Sequence, residues 1–505
     1  MVSGNIDELT YSKYPSSKSV GKDHIIIVGG GIIGATTAYY LTKHPNFDPN
    51  KHYITLIESS EVAGGASGKA GGLIASWAFP EQIVPLSFHL HEELNQEYDG
   101  ETNWGYRRLN ALSVEADLKN LRDEQEKRHL RLQKRFNEFS KNVPVVPTTE
   151  LENGESKTAP VGAGKNVHGK ASDYIQQNYP SAPPMSKDSS QFNLDDLAAV
   201  PMGGAPQSNG IPDDLSTGGV MMRTSHSLLP MAFDWVKQKL IKTWNYIGET
   251  ETTAQIHPYK FTHFLLTKAM ETGAVELIKG KVNEIQVNDE NEACGVSYIP
   301  RDSEDNEVVN LVNASKVLLS VGPWTPKLLK DCPISSLRVH SVIVKPENTE
   351  ENPISPYSLF SEIQVENNRI VSPEIYPRKD EIYICGEGDA VDLPDSIEDI
   401  KPNDEICNEL YYYVSKLSSS VSHGEITDRF ASYLPVLNIP TGSGPLLGET
   451  NMKNLYIATG HSCWGINNAP ATGLIMSQLM LEGDCTCAEI SVFNPKLYFD
   501  ATKLN

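Results

Sequence analysis

Three glycines near the amino terminus have the spacing of a nucleotide-binding turn. Gly29, Gly31 and Gly34 form a G-x-G-x-x-G pattern directly after the apolar run 24–28. In such a turn the first glycine permits the tight bend, the second lets the backbone approach a pyrophosphate, and the third lets the helix pack close to the sheet. The helix that follows would bind phosphates at its N-terminus, where free N–H groups and the dipole favour negative charge.

An acidic residue stands where a ribose would lie. Glu58 follows Gly34 by twenty-four residues and ends the apolar run 53–57, which predicts the second strand of a βαβ unit. A carboxylate there can accept both ribose hydroxyls, and it would repel the extra phosphate of NADP. The glycine pattern alone also occurs in ordinary turns, but together with strand, helix and acid it predicts a dinucleotide site.

Two further segments favour a flavin over a nicotinamide. Residues 64–72 are rich in glycine, so their backbone can approach a pyrophosphate or an isoalloxazine ring, with a flexible loop as the alternative interpretation. Near the carboxyl terminus, residues 459–466 close a strand, and Pro470 suits the first turn of the helix that follows. The N-terminus of that helix, aimed at the N1/C2 edge of a flavin, would stabilise the negative charge of the reduced ring.

Taken together, these motifs resemble the D-amino-acid oxidase (DAO)-like family, which includes glycine and sarcosine oxidases. The resemblance rests on the glycine turn, the loop 66–72, the Val-Gly-Pro-Trp run 321–324 and the segment 460–473. Within the family, the chain is most similar to a fungal group of oxidoreductases associated with late-endosome-to-Golgi transport. The resemblance implies an FAD cofactor, an antiparallel sheet over the flavin face, and hydride transfer to flavin N5 from the carbon next to an amine nitrogen.

The residues expected to bind FAD come from all of these segments. They are Gly29, Gly31, Ile32, Ile33, Gly34, Glu58, Ser59, Ala66, Ser67, Gly68, Gly71, Gly72, Leu73, Val282, Gly322, Trp324, Gly460, Trp464, Gly465 and Ile466.

The chain departs from the family on the substrate side. The resemblance places Leu434 and Cys463 where glycine-oxidase-like members have arginines that hold the substrate carboxylate. Ser432 stands near the position of the cysteine that links FAD in sarcosine-oxidase-like enzymes, which predicts noncovalent FAD.

Three residues are candidates for catalysis or substrate contact. Cys463 could face the flavin, or it could be a small packing residue. His461 could hydrogen-bond flavin or substrate, or it could hold the turn. Arg378 could reach a substrate anion, or it could form a salt bridge at the rim.

Composition narrows the classes of partner. The net charge of −22 argues against nucleic acid and anionic membrane surfaces, because it repels phosphate. The seven cysteines show no zinc-type spacing, so we expect reduced thiols, no metal site and a cytoplasmic protein. The amino terminus lacks the layout of a signal peptide, and the apolar run 25–33 is too short to cross a bilayer. A peripheral association with late endosomes is implied by the resemblance only.

The order of these elements along the chain predicts two interleaved, discontinuous domains. Short alternating strands in 338–440 indicate an antiparallel sheet. Residues 1–22 are expected to be a flexible extension and 144–220 a flexible polar insertion that could bind a protein partner. The fold class is α/β with α+β: an FAD-binding, Rossmann-like domain of the glutathione-reductase type, interleaved with a substrate domain. The expected ranges are 23–80, 250–335 and 445–485 for the FAD domain, and 81–143, 221–249 and 336–444 for the substrate domain.

Three functions remain open from the residues. The first is an FAD-dependent oxidoreductase that acts on a small amine. The second, an NAD-dependent dehydrogenase, would not need the segment 460–473. The third is a flavin-binding interaction protein with weak or lost catalysis, motivated by the two missing arginines and the insertion.

Overall fold

The computed structural model describes residues 9–119, 229–301, 307–347, 353–439 and 444–503. The segment 144–220, predicted to be a flexible insertion, lies outside these residues. Within them, no helix is both long enough and apolar enough to span a bilayer.

The strands, in chain order, alternate between the sheets. They are β1 Asp23–Val28, β2 His52–Glu58, β3 Leu73–Ala75, β4 Arg107–Arg108, β5 Asn110–Asp117, β6 Ile241–Gly248, β7 Thr253–Gln255, β8 Val275–Val287, β9 Ala293–Pro300, β10 Val309–Val312, β11 Lys316–Leu319, β12 Ile334–Lys345, β13 Tyr357–Gln364, β14 Ile370–Val371, β15 Glu374–Pro377, β16 Ile382–Asp389, β17 Glu425–Leu437, β18 Leu446–Glu449 and β19 Leu455–Thr459.

The α-helices of the described residues are fewer than the strands, and the two longest, α3 and α9, pack in the core beside the first sheet. They are α1 Ile32–Lys43, α2 Ala66–Lys69, α3 Val84–Tyr98, α4 Gly100–Trp104, α5 Pro258–Met270, α6 Thr325–Leu328, α7 Asp404–Leu417, α8 Ser419–His423 and α9 Gly465–Leu481.

The first sheet has a parallel centre built from both ends of the chain. Its order is β10-β9-β8-β2-β1-β11-β19-β18, and the pairs from β8 to β19 are parallel. Ile25 and Ile27 of β1 pack into one core with α1 and α9, whereas Ile26 and Val28 pack into a second core on the opposite face. Because both faces are covered, the strand is a continuous apolar run rather than an alternating one.

The second sheet is almost entirely antiparallel. Its order is β17-β12-β16-β15-β13-β5-β6, and only the β13–β5 pair is parallel. One face carries a core closed by α7, in which Leu410 and Val414 pack against strand residues such as Ile375 and Ile384. A short third sheet, β3-β7-β4, connects the two. The predicted architecture, a Rossmann-like α/β sheet interleaved along the chain with an antiparallel sheet, is confirmed.

The prediction of a loose extension over 1–22 is corrected for residues 9–22, which pack on the first sheet. Ser12 forms a parallel bridge with Ile278, with its N–H donating to the Leu277 carbonyl at 2.8 Å. The Tyr11 hydroxyl accepts a hydrogen bond from the Val62 N–H at 2.9 Å, and Leu9 is buried. The segment is therefore held by backbone pairing along β8, which a composition rich in Ser, Lys and Tyr does not reveal.

Residues 84–106 also pack differently from the expected division. Leu90, Leu94 and Trp104 lie in the same core as α1 and α9, although 81–143 was assigned to the substrate domain. The boundaries between the two domains stay a prediction.

Helices from opposite ends of the chain pack directly on each other. A Cβ built on Gly473 of α9 would lie 2.7 Å from the backbone carbon of Thr36 in α1. Thr36 itself is fully buried and its hydroxyl donates to the Ile32 carbonyl at 2.8 Å. The close approach requires glycine at position 473, so the first and last helices are fixed as one unit.

We therefore predict that Gly473→Val lowers the thermal unfolding midpoint, because the added side chain must push α1 and α9 apart. Overpacking of this kind costs about 1–3 kcal/mol. The control is Gly65→Ala, whose Cβ would lie 3.8 Å from Ile397 Cδ1, an ordinary van der Waals contact. Equal midpoints for Gly473→Val and the unchanged chain would contradict the packing.

Candidate flavin and substrate site

The turn after β1 can form only if positions 29 and 34 carry no side chain. Gly29 has a φ of +105°, and a Cβ there would lie 2.6 Å from the Ser320 carbonyl oxygen. A Cβ on Gly34 would overlap the Gly29 carbonyl. The first turn of α1 therefore sits directly on the ends of β1 and β11, as the spacing predicts.

The first turn of α1 offers amide donors to an anion. The Ile32 N–H donates to Ser67 Oγ at 2.9 Å, and the next first-turn amides, of Ile33 and Gly34, have no acceptor inside the helix. Among the described residues, only Ser67 Oγ lies within 4 Å of a Cβ built on Gly31. An open space beside free amides at a helix N-terminus fits a pyrophosphate.

Glu58 is fixed at the end of β2. Its carboxylate is buried, and it accepts hydrogen bonds from the Gly30 N–H at 2.7 Å and the Ser60 N–H at 2.8 Å. The Ser59 hydroxyl donates to it at 3.2 Å. Burial raises the pKa of Glu58. Since Oε2 accepts one hydrogen bond, it retains capacity for a ribose hydroxyl.

The glycine-rich loop is packed rather than flexible. Ala66 begins the short helix α2, Gly72 has a φ of +89°, and Leu73 begins β3. A Cβ on Gly68 would overlap the Ala63 carbonyl, and one on Gly71 would overlap the ring of Tyr376 in β15. The loop therefore lies between the first sheet and the second.

The carboxyl-terminal segment is held by buried polar contacts. Gly460 has a φ of +85° and follows β19 directly. Nε2 of His461 lies 3.0 Å from Thr472 Oγ1, and burial lowers the pKa of His461 to about 3. Asn467 Oδ1 accepts the Ala75 N–H at 2.7 Å. His461 is thus a neutral imidazole that ties the turn to α9.

The remaining predicted residues lie at the same edge of the first sheet or on its antiparallel extension. Gly322 has a φ of +55°, and its carbonyl accepts from Thr459 Oγ1 at 3.0 Å. Trp324 Nε1 donates to the Pro394 carbonyl at 2.8 Å. Val282 is half-buried on β8 beside the second core. The segments after β1, β2, β11 and β19 therefore share the carboxyl edge, where ligands bind in open α/β sheets.

Arg378 follows β15, and its side chain is hydrogen-bonded to the backbone of the glycine-rich loop. Its guanidinium donates to the carbonyls of Ala70 and Gly71, and it forms an ion pair with Glu381. Its side chain is only 7% exposed. These contacts connect the second sheet to the loop and assign three of its donors, so the arginine acts as a clamp on the loop.

Facing this loop, the second sheet carries a group of polar side chains that the sequence analysis missed. Glu374 of β15 stands opposite Cys385 of β16, and Tyr376 stands opposite Tyr383. The Tyr376 hydroxyl donates to Glu374 Oε2, and the Cys385 thiol lies 3.8 Å from the same oxygen. The alternation with buried Ile375 and Ile384 was the available signal, because it turns these polar side chains toward the other face.

Cys463, in the turn Ser462–Trp464 just before α9, lies beside this group. Its side chain is accessible to solvent, yet the surrounding protein desolvates the thiol and raises its pKa to about 12. The charge of Glu374 is a second cause of that shift. Because the thiol is desolvated although the residue is exposed, and because the charge of Glu374 acts on it, we infer that Cys463 and Glu374 line one space, called the cavity below.

Comparison with known proteins agrees with this geometry. The sequence model of DAO, described as FAD dependent oxidoreductase, matches residues 24–157 and 237–479, which is more than half of the chain. This chain belongs to the DAO family. FAD is its cofactor, and the site residues above fit that cofactor in their donors and in the space beside Gly31.

Individual relatives match nearly the full length of this chain. It is 46% identical to "Putative oxidoreductase TDA3" of Saccharomyces cerevisiae, over 98% of each protein. Among solved structures, the L-proline dehydrogenase of P. horikoshii has a TM-score of 0.54 at 16% identity, covering 94% of this chain and 97% of that one. The glycine oxidase of Bacillus cereus has a TM-score of 0.53 at 15% identity, covering 92% and 95%. At these identities the structural likeness shows the fold alone.

The two positions at which the sequence resemblance predicts arginines in related enzymes, Leu434 and Cys463, lie on neighbouring segments. Leu434 is in β17, and Val436 of the same strand forms a bridge with His461. This bridge sets the end of β17 beside the turn Ser462–Trp464, which contains Cys463 and leads into α9. Ser432, the position relevant to covalent attachment, is buried in β17.

We predict that Glu58→Ala weakens FAD binding by about 1–3 kcal/mol, the range for losing hydrogen bonds to a charged group. The measurement is the dissociation constant of FAD from flavin fluorescence. Because Glu58 also holds the Gly30 N–H, the unfolding midpoint of the FAD-free protein separates loss of binding from loss of folding. Glu61→Ala, an exposed acid on the same loop, is the matched control, and an FAD affinity that both variants leave unchanged would refute the ribose contact.

The cysteines are expected to differ sharply in reactivity. The Cys487 side chain, 3.6 Å away, is the main reason that the pKa of Cys485 is lowered, whereas burial raises the pKa of Cys463 to about 12. At about pH 7, therefore, a larger fraction of Cys485 than of Cys463 is thiolate, and Cys463 is neutral. Iodoacetamide should modify Cys485 well before Cys463, as followed by peptide mass spectrometry. Labelling of the unfolded chain, where the rates should converge, is the control, and faster labelling of Cys463 in the folded protein would contradict the expectation.

Proposed function

We propose that this DAO-family chain oxidises the carbon next to the nitrogen of a small amine. The observation that supports the proposal is the proximity of Cys463 to Glu374, which we infer to line one cavity between the turn before α9 and the face of the second sheet. Bound FAD would supply the redox chemistry, since N5 of its ring accepts a hydride as the C–H bond breaks and the nitrogen lone pair forms a C=N bond.

The chain would contribute position and electrostatics. The backbone N–H groups in the first turn of α9 would face the edge of the flavin ring. The dipole of the helix would then stabilise negative charge on the reduced ring. Asn467, which holds the Ala75 N–H, fixes the first turn of this helix against β3. Arg378 keeps the glycine-rich loop in place through its two carbonyl contacts.

Aromatic side chains would exclude water from the reacting atoms. The ring centroids of Trp77 and Trp464 are 6.1 Å apart, and those of Trp77 and Phe360 are 6.0 Å apart. Phe360 in turn lies 6.0 Å from Tyr376. This continuous aromatic wall leads from the start of α9 to Glu374 on the second sheet, so a small molecule bound there would be removed from bulk solvent.

FAD is proposed to be held noncovalently. The buried Ser432 replaces the linking cysteine of sarcosine-oxidase-like enzymes, and a serine hydroxyl does not form that thioether. We keep the two predicted domains with the ranges given above, except that residues 84–106 are assigned to the FAD-binding domain because they pack in its core.

A second candidate is a flavin-binding interaction protein with weak or lost catalysis. Leu434 and Cys463, in place of two carboxylate-binding arginines, favour it. The two candidates share the cofactor, and they differ only in whether a small molecule can reduce it.

The test is anaerobic reduction of the bound flavin by a panel of amines, amino acids and imino acids, followed by oxygen. We expect at least one amine to bleach the visible absorbance of the flavin, because the cavity admits a small molecule next to the ring. Return of the colour on admitting air would identify oxygen as a competent acceptor. Dithionite provides the positive control for bleaching, and a flavin that dithionite bleaches but no amine does would favour the interaction protein.

A further inference from the structure

Glu374 occupies the centre of the sheet face that looks onto the cavity. It stands opposite Phe360 on one neighbouring strand and opposite Cys385 on the other. Its side chain is half-buried, and desolvation raises its pKa. The carboxyl group is therefore neither a surface acid nor part of the apolar core on the opposite face of the sheet.

Glu374 lacks a cationic partner within the described part of the chain. The two side chains that donate to it are the hydroxyl of Tyr376 and the thiol of Cys385, and no lysine, arginine or histidine there forms an ion pair with it. Placing a carboxylate in a desolvated position without a counter-ion costs several kcal/mol at an order-of-magnitude level. A cation that enters the cavity would remove most of that cost.

The rest of the cavity is also suited to a cation. Phe360 and Tyr376 flank Glu374, and Trp77 extends the wall toward the start of α9. Aromatic faces attract ammonium groups, most strongly when these are desolvated. The nearest arginine on the same strand end, Arg378, directs its guanidinium to the Ala70 and Gly71 carbonyls and to Glu381.

We propose that Glu374 binds the ammonium nitrogen of the substrate and accepts its proton, which frees the nitrogen lone pair for hydride transfer, and that the substrate is an amine without a carboxylate. This inference rests on the proposed function, since it names the substrate class of the same site. Where related enzymes use arginine to hold an anion, this chain has Leu434 and Cys463, and it adds an acid nearby. An α-amino acid would place its own carboxylate close to Glu374, and two neighbouring negative charges repel each other.

The inference can be tested without turnover by three molecules of matched shape. tert-Butylammonium is a cation whose carbon next to nitrogen carries no hydrogen, so it cannot lose a hydride. Pivalate is its anionic counterpart and tert-butyl alcohol its neutral one. Each is titrated into the FAD-bound protein, and the shift of the visible flavin absorbance gives the dissociation constant.

We expect tert-butylammonium to bind more tightly than pivalate and tert-butyl alcohol. Glu374→Gln, which keeps the shape and removes the charge, should weaken tert-butylammonium by about tenfold or more. The affinity for tert-butyl alcohol should stay unchanged in that variant. Glu425→Gln, at the exposed start of β17 in the same sheet, removes an equal charge away from the cavity and should change none of the three.

Two results would overturn the inference. One is binding of pivalate as tight as that of tert-butylammonium, and the other is an affinity for tert-butylammonium that Glu374→Gln leaves unaltered while the variant retains a full complement of FAD. Failure of every amine to bleach the flavin would remove the proposed function instead, and the titrations would still decide whether the cavity selects cations.

Discussion

The contact of α1 with α9 is the constraint on which the site depends. Gly473 lets the two helices approach until a single added carbon would touch the backbone of Thr36. Because β1, β11 and β19 are neighbours in one parallel sheet, this packing brings the ends of segments that are more than four hundred residues apart in the chain to one edge. The turn proposed to bind the phosphates and the helix proposed to face the flavin are thereby held at a fixed separation, and the second sheet covers the space between them.

The sequence predicts those parts of the site in which a residue type is required by its own backbone conformation or by its spacing along the chain. A turn at Gly29 and Gly34 requires glycine because any Cβ would strike Ser320 or the turn itself, so its spacing is visible in the chain. Glu58 follows from the length of a βαβ unit. The packing of residues 9–22 on β8 has no such signature, because it is made by backbone pairing with a strand more than two hundred residues away.

The substrate side was harder to predict for a related reason. Arg378 looked available to an anion, but its contacts are with carbonyls of the glycine-rich loop, which no local pattern reveals. Glu374 drew no attention because one acid in an alternating strand resembles a solvent-facing residue. Only the pairing of β15 with β16 and the position of Cys463 turn it into a cavity residue. We therefore propose that the chain keeps the cofactor half of its family and changes the charge of the substrate half.

The most direct test of the account is a crystal structure grown with saturating FAD. The account predicts electron density for the pyrophosphate at the first turn of α1, for the ribose beside Glu58, and for the isoalloxazine ring between the start of α9 and the face of the second sheet that carries Glu374. An empty groove between α1 and α9, or FAD bound at any other surface of the protein, would contradict it.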